Sequence, residues 1–139
     1  MAGGKASDPL FPTIVVAAVV EQDGAFLVTR RVRGVHLEGY WEFPGGKCEA
    51  GETHEECLRR EIREELNVEV AVRHELLTTV HAYDDRAVEL HFYQCTIEGA
   101  PEPRLGQEIR WVPGNELRTL EFPPADEALI ALLNDANRS

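Results

Sequence analysis

Glutamate residues concentrate near the middle of the chain, in a segment that also contains arginines and a few aliphatic residues. Glu61, Glu64 and Glu65 have the spacing i, i+3, i+4, which places their side chains on one stripe of an α-helix. A fourth carboxylate, Glu52, lies shortly before them. Like charges at this spacing repel one another. The stripe is therefore either a solvated acidic face or a site for a hard divalent cation, whose ligands are carboxylate oxygens.

The acidic stripe requires a helix, and the flanking residues predict its limits. Thr53 and Glu56 have the spacing of a capping box, in which the hydroxyl and the carboxylate bind backbone N–H groups at the helix start. We therefore expect the helix to begin near His54. Asn67 tolerates the left-handed conformation that often follows a helix, so the helix should end near residue 66. The expected core-facing stripe consists of Leu58, Ile62 and Leu66.

The spacing of glycine, glutamate and arginine in this segment matches a family motif. Gly46 is followed after five residues by Glu52 and after seven more by Arg60, which begins the run Arg-Glu-Ile-Arg-Glu-Glu-Leu-Asn-Val. The segment resembles the Nudix box, G-x5-E-x7-R-E-U-x-E-E-x-G-U, in which U is a bulky aliphatic residue. One fixed position differs, because Asn67 replaces the last glycine. The chain thus resembles a Nudix hydrolase.

The rest of the chain alternates between apolar segments and turn residues. Strands are predicted at residues 12–20, 25–31, 41–43, 68–72, 76–81, 87–97 and 109–112. We interpret Pro44-Gly45-Gly46 as a turn, and we predict a closing helix over 124–133. The apolar side of that helix should contain Ala128, Leu129, Ala131, Leu132 and Leu133. This order favours an α/β or α+β fold. The Nudix resemblance implies an α/β/α sandwich around a mixed β-sheet.

Length and composition are typical of one globular domain. The chain has 139 residues, of which 43% are hydrophobic and 28% charged. No apolar run approaches the ~20 residues that a membrane span needs. We expect residues 1–11 to form a disordered leader and residues 12–136 to form a single domain. Cys48, Cys57 and Cys95 are odd in number and lack C-x-x-C spacing, which favours a reducing cytoplasm over a disulfide framework or a zinc site.

The net charge of −11 limits the possible partners. It argues against a general affinity for nucleic acid polymers. It would also repel a phosphate-rich small ligand, so bound cations and a few placed arginine or lysine side chains would have to reverse the local field. We expect a nucleotide as the partner, without a nucleic acid polymer or a membrane, and either a monomer or a homodimer.

The Nudix resemblance implies cleavage of a nucleoside diphosphate linked to another group, by attack of water on phosphorus with Mg²⁺ or Mn²⁺. The metal would polarise the phosphates and lower the pKa of a bound water. The implied metal shell consists of the Gly45 carbonyl, Glu61, Glu64 and Glu65. The implied catalytic residues are Glu52, Arg60, Glu61 and Glu64. Members of the family differ in which glutamate is the general base, and Arg60 is expected to orient a carboxylate.

The resemblance extends beyond the box toward MutT-type enzymes, which hydrolyse (deoxy)nucleoside triphosphates to monophosphate and pyrophosphate. Thr29-Arg30-Arg31 precedes the segment 41–46 at the MutT spacing, and the segment 122–127 is similar to the MutT sequence Phe-Pro-Pro-Ala-Asn-Glu. The implied substrate-binding residues are Arg31, Glu42, Phe43, Arg86 and Asp126. Arg86 lies in a predicted hairpin turn, where it either contacts the nucleotide or faces solvent.

Asp126 replaces the MutT asparagine that contacts an oxidised guanine. An ionised aspartate only accepts hydrogen bonds, whereas an asparagine both donates and accepts them. If Asp126 faces the pocket, it favours a base with amino donors, such as cytosine, or it must be protonated to bind a guanine-type carbonyl. It could instead serve only the helix N-terminus. Oxidised dGTP (8-oxo-dGTP) and (d)CTP are therefore both candidate substrates.

Leu105 marks a second difference, because MutT-like proteins often have a glutamate at this position. Glu102 and Glu108 are nearby substitutes. Two other functions are compatible with the box: hydrolysis of nucleotide sugars or dinucleoside polyphosphates, and nucleotide sensing without catalysis. No proline lies between Pro44 and Pro101, which disfavours the nucleotide-sugar branch. Intact box glutamates disfavour the catalytically silent alternative.

Overall fold

The computed structural model describes residues 12–32, 34 and 38–136, so the predicted leader at residues 1–11 lies outside the described residues. Within these ranges there are seven strands and two α-helices. The strands are β1 (Thr13–Gln22), β2 (Ala25–Arg30), β3 (Trp41–Glu42), β4 (Gly45–Lys47), β5 (Glu69–Ala82), β6 (Ala87–Glu98) and β7 (Glu108–Pro113). The helices are α1 (His54–Leu66) and α2 (Glu127–Ala136), and 3₁₀ turns span Gly114–Thr119 and Pro124–Asp126.

The strands form one mixed sheet with β1 at its centre. β1 pairs in parallel with β6, from Thr13 to Val20, and β6 pairs antiparallel with β5. β4 and the beginning of β2 pair antiparallel with β1. β2 in turn pairs with β3 and β7. The mixed sheet agrees with the one that the Nudix resemblance implies. The β5–β6 pair confirms the predicted hairpin, whose turn contains Arg86.

Residues of β1 alternate between the two faces of the sheet, and a helix covers each face. Val16, Ala18 and Val20 belong to a core that includes the buried residues of α1. Ala17 and Val19 belong to a second core that includes the buried residues of α2. Because successive side chains of a strand point to opposite faces, the helices lie on opposite sides of the sheet. The α/β/α sandwich is confirmed.

Helix α1 begins and ends where its capping residues predict. The Glu56 N–H donates to the Thr53 hydroxyl at 3.1 Å, and the Thr53 N–H donates to the Glu56 carboxylate at 3.0 Å. Asn67 has φ 56° and ψ 40°, and its N–H donates to the Arg63 carbonyl. Both caps are therefore confirmed. The buried residues of α1 include the predicted Leu58, Ile62 and Leu66, together with Cys57.

The interpretation of Pro44-Gly45-Gly46 as a turn is wrong. Gly45 and Gly46 belong to β4 and lie opposite Ala17 and Val16 of β1. A Cβ atom on Gly45 would lie 2.0 Å from the carbonyl oxygen of Val16. Glycine is required here because the two backbones approach closely, rather than because the chain reverses.

Two further elements differ from the prediction. The two expected strands at 68–72 and 76–81 are one strand, β5, whose register shifts on either side of Glu75. Helix α2 begins at Glu127 rather than residue 124, because a 3₁₀ turn precedes it. The buried face of α2 includes Ile130, whereas Leu132 is 43% exposed. The predicted apolar side of this helix is therefore partly wrong.

Two further observations concern the cysteines and the length of the helices. Cys48, Cys57 and Cys95 are free thiols, and the last two are buried. Burial raises the pKa of the Cys95 thiol to about 12. In the part of the chain that the structure describes, neither helix is long and apolar enough to cross a membrane.

We expect Gly45→Ala to lower the free energy of unfolding by about 2–4 kcal/mol, because the added Cβ overlaps the Val16 carbonyl and both backbones are fixed by strand pairing. Urea denaturation measures the change. Gly46→Ala is the matched control, since its Cβ would meet the movable carboxylate of Glu61 instead of backbone. Equal losses in the two variants would contradict this explanation.

Candidate active site

A cavity of about 430 Å³ connects the α2 side of the sheet with the acidic stripe of α1. Its floor includes Ala17 of β1 and Leu90 and Phe92 of β6. Asp126, from the turn before α2, also lines it. Glu65, next to the last residue of α1, borders the same cavity. One cavity therefore joins an apolar floor to the carboxyl groups of Asp126 and Glu65.

Arg60 lies among the carboxylates that the sequence singled out. Its Nε donates to Glu52 Oε2 at 2.6 Å, and its Nη2 donates to Glu52 Oε1 at 2.9 Å. Its Nη1 donates to Glu61 Oε2 at 3.0 Å and lies 3.5 Å from Glu64 Oε1. The hydrogen bonds from Arg60 lower the pKa of Glu52 to about 2. Four of the predicted site residues thus form one network.

Glu61 and Glu65 form a second contact, next to the glycines of β4. Burial and the adjacent Glu61 carboxyl together raise the pKa of Glu65 to about 9, against a hydrogen bond from the Gly45 backbone. The Glu61 carboxylate lies over Gly46, where a Cβ atom would be 2.4 Å from it. Glycine at this position therefore leaves room for the carboxylate.

The donor set fits a hard divalent cation. Two half-buried carboxylates in contact repel each other, and a cation in the same place would relieve their repulsion. Glu61 and Glu65 would hold it, with Glu64, which is 59% exposed, on the solvent side. Among the described residues no three acidic, histidine or cysteine side chains converge into a ready metal site. Arg60 instead neutralises part of the cluster.

Three predicted substrate-binding residues lie together in the cavity wall. Arg31 Nη1 donates to Glu42 Oε1 at 2.8 Å, and both residues line the cavity. Burial raises the pKa of Glu42, and Arg31 opposes this effect. Phe43 stacks on Phe122 at 5.5 Å and meets the Phe92 ring edge-on at 6.1 Å. These contacts hold Phe43 in place as an apolar part of the wall.

Asp126 faces the cavity. The residue is 5% exposed, and its N–H donates to the Pro123 carbonyl at 3.0 Å. Burial, with a smaller contribution from the negative charge of Glu42, raises the pKa of its carboxyl to about 7. Both protonation states are therefore populated near neutral pH. Asp126 can then act either as a donor or as an acceptor toward a ligand.

Arg86 is not brought into the cavity lining. Its guanidinium lies 5.6 Å from the centre of the Tyr83 ring, and its carbonyl accepts the Tyr83 N–H at 2.7 Å. Tyr83 itself lines the cavity, although sequence analysis did not select it. Arg86 is placed to support that ring in the β5–β6 turn.

The loop before β7 contributes a residue that sequence analysis missed. Glu102 accepts a hydrogen bond from Asn67, and Glu108 pairs with two arginines, so both proposed substitutes are bound elsewhere. Leu105 and Gln107 line the cavity instead. A single glutamine in a polar loop has no periodicity or motif that would have identified it.

A family model for the NUDIX domain matches residues 15–132. The chain belongs to the Nudix family. The match covers the box helix and the cavity walls, including Arg31, Glu65 and Asp126. Nudix hydrolases need a divalent metal, which agrees with the donor set of α1.

Similar proteins support the same assignment. This Nudix chain is 37% identical over 127 residues to an 8-oxo-dGTP diphosphatase of Haemophilus influenzae, covering 88% of this chain and 93% of that protein. It is 33% identical over 123 residues to a CTP pyrophosphohydrolase of Escherichia coli, covering 85% and 91%. The solution structure of the E. coli ORF135 protein superposes with a TM-score of 0.80 at 31% identity, covering 91% of each chain. The chain is a Nudix pyrophosphohydrolase.

We expect Asp126→Asn to change how stability depends on pH. The folded-state pKa of about 7 lies above the ordinary value of 3.8, so the folded protein keeps a proton that the unfolded chain releases. Wild-type stability should fall as pH rises from about 4 to about 7, and the variant should lack this loss. The variant's advantage should grow by roughly 2–4 kcal/mol across that window. Urea titrations at pH 4, 5.5, 7 and 8 measure it, and parallel curves would contradict the shift.

Proposed function

We propose that this enzyme hydrolyses (deoxy)nucleoside triphosphates to the monophosphate and pyrophosphate, with Mg²⁺ as the cation and Mn²⁺ as a substitute. The observation that carries the proposal is the continuous cavity from Asp126 to Glu65. Its apolar end suits a base, and its acidic end suits a cation bound to phosphates. The named activities of the two curated relatives support the same substrate class.

The cavity orients the nucleotide in one direction. The base lies at the Asp126 end, against the apolar surfaces of Phe43, Leu90 and Phe92. The triphosphate extends toward Glu65, where a bound cation offsets the charge of both the carboxylates and the phosphates. In the reaction, water attacks phosphorus and the bond to the departing oxygen breaks; a cation held by Glu61 and Glu65 would supply stabilisation of the charge that develops.

The hydrogen bonds of Glu52 argue against its acting as the general base. Arg60 occupies both carboxylate oxygens, and the Glu49 N–H donates to Oε1 at 2.8 Å. Glu52 and Arg60 instead form a support that positions Glu61, to which Arg60 also donates. The general base is then one of the helix glutamates, with exposed Glu64 best placed to reach a water.

We expect the wild-type protein with Mg²⁺ to release pyrophosphate from 8-oxo-dGTP, dCTP or CTP. Glu64→Gln should lower kcat at least ~100-fold, because it removes a carboxylate from the cation and water site. Glu55→Gln is the matched control: the same substitution on the same helix, at an exposed residue that pairs with Arg59. Its kcat should equal that of the wild type.

The same panel separates the alternatives. Turnover of nucleotide sugars or diadenosine polyphosphates in preference to triphosphates would replace the proposed substrate class. No turnover of any compound, with nucleotide bound equally by wild type and Glu64→Gln, would make the chain a sensing module and overturn the proposal.

Asp126 favours oxidised guanine as the base, with cytosine as the second candidate. Its raised pKa leaves a proton on the carboxyl below neutral pH, and the protonated form can donate to a guanine-type carbonyl. The ionised form can accept from the amino group of cytosine. The two substrates should therefore respond oppositely to pH.

We expect the ratio of kcat/KM for 8-oxo-dGTP to that for dCTP to fall at least about tenfold between pH 6 and pH 8. Asp126→Asn keeps both a donor and an acceptor at every pH, so its ratio should be nearly flat. Initial-rate measurements of pyrophosphate release at constant ionic strength provide the comparison. A wild-type ratio independent of pH would show that Asp126 does not contact the base.

We further propose a single domain over residues 12–136, in a reducing cytoplasm, as a monomer or homodimer without affinity for nucleic acid polymers. The free thiols and the net charge of −11 support the compartment and the lack of polymer binding. Light scattering after gel filtration, with and without DNA, tests the assembly state and the polymer binding together.

A further inference from the structure

The loop between β6 and β7 is hydrogen-bonded to the last residues of helix α1. The Glu102 N–H donates to the Leu66 carbonyl at 2.8 Å, and the Arg104 N–H donates to the Glu65 carbonyl at 3.0 Å. The last carbonyls of a helix have no partner within the helix, so these bonds satisfy groups that would otherwise be unpaired. The loop therefore closes the end of α1 at the residue whose carboxyl borders the cavity.

Gln107 adds a side-chain hydrogen bond to the same carbonyl. Its Nε2 donates to the Glu65 carbonyl at 3.1 Å, and its Oε1 accepts the Leu105 N–H at 2.9 Å. Gln107 is 8% exposed, so losing either bond would leave a buried polar group unpaired. The Glu65 carbonyl thus accepts two hydrogen bonds, one from the backbone of the loop and one from a buried amide.

The position of Glu65 in the helix makes it dependent on these bonds. It is the residue before the last one of α1, so no further helical turn follows to hold it. If its carbonyl lost both partners, the last turn could unwind, and the side chain would move with its backbone. The carboxyl of Glu65 would then leave its place beside Glu61.

Glu61 and Glu65 are held in different ways. Glu61 lies one turn earlier, and its carboxylate accepts a hydrogen bond from Arg60 Nη1 at 3.0 Å. Glu65 is held at its main-chain carbonyl, by a loop that is about 40 residues away in the sequence. One of the two carboxyl groups is therefore positioned from within the Nudix box, and the other from outside it.

We propose that Gln107 is a positioning residue, which together with the Arg104 N–H holds the carboxyl of Glu65 in the cation site through the Glu65 carbonyl. The inference deepens the proposed function and rests on it, because that function places the cation at Glu61 and Glu65. Groups that orient a metal ligand without touching the metal raise metal affinity, since the ligand then needs no reordering on binding.

The first test measures binding of Mn²⁺ alone, without nucleotide and without turnover. Electron paramagnetic resonance of free Mn²⁺ gives the dissociation constant for wild type and Gln107→Met, which removes both hydrogen bonds at nearly constant side-chain volume. The variant should bind Mn²⁺ about fivefold to tenfold more weakly. Gln94→Met is the matched control, because Gln94 is exposed and lies outside the cavity lining. Its affinity should equal that of the wild type.

A second pair of variants tests the backbone bond to the same carbonyl. The Gly106 N–H donates to the Pro103 carbonyl at 3.2 Å, so Arg104 is the second residue of a β-turn, where proline is favoured. Arg104→Pro removes the N–H that donates to Glu65, whereas Arg104→Ala keeps it and removes the same side chain. Arg104→Pro should bind Mn²⁺ at least about threefold more weakly than Arg104→Ala. Arg104 is exposed, so this pair provides the test even if Gln107→Met does not fold.

Steady-state kinetics distinguish positioning from a loss of folded protein. The Mg²⁺ concentration that gives half-maximal pyrophosphate release should rise in Gln107→Met by about the same factor as the Mn²⁺ dissociation constant. The rate at saturating Mg²⁺ should stay within about twofold of the wild-type rate, because Gln107 acts on the affinity of the site. The measurements are made at a temperature where circular dichroism shows each variant to be fully folded.

Glu65→Gln separates failure of this inference from failure of the proposed function. It should weaken Mn²⁺ binding at least about tenfold, because it removes a carboxylate from the site. Equal Mn²⁺ binding by wild type and Glu65→Gln would refute the proposed cation site itself. If Glu65→Gln loses affinity while folded Gln107→Met and Arg104→Pro bind Mn²⁺ like their controls, the cation site stands and the positioning role is refuted.

Discussion

Repulsion among carboxylates is the constraint on which the site depends. Helix α1 presents several glutamates to one small region, in a chain that is already strongly acidic. Arg60 resolves part of this repulsion by binding Glu52 through both oxygens and Glu61 through one. Glu65, which contacts Glu61, forms no ion pair of its own among the described residues. The carboxyl oxygens gathered here fit the divalent metal that Nudix hydrolases need.

Close packing of backbone brings this charge to the sheet. Gly45 lies directly against the Val16 carbonyl, and Gly46 lies beneath the Glu61 carboxylate. Side chains at either position would separate β4 from β1 or push the carboxylate away from the cavity. Gly45 therefore allows the strand pairing, and Gly46 allows helix α1 to approach the sheet.

The wall of the cavity contains acidic residues besides those of α1. Glu42 and Asp126 are both desolvated, and Arg31 pairs directly with Glu42. Asp126 consequently titrates near neutral pH, and a carboxyl that carries a proton part of the time offers either kind of hydrogen bond. Glu65 and Asp126 are thus both acidic residues of the same cavity, but their surroundings differ.

Local interactions made α1 predictable from the sequence: the capping box at Thr53, the left-handed Asn67 and the apolar stripe each depend on residues within a few positions. The box spacing likewise identified the carboxylate network, and the apolar segment at residues 12–20 predicted the strand β1. Tertiary structure alone decided that Gly45 and Gly46 form a strand, that Arg86 lies outside the cavity lining, and that Gln107 joins Leu105 to Glu65. Each of these depends on segments far apart in the chain, whose approach is set by packing of the whole sheet and leaves no local pattern.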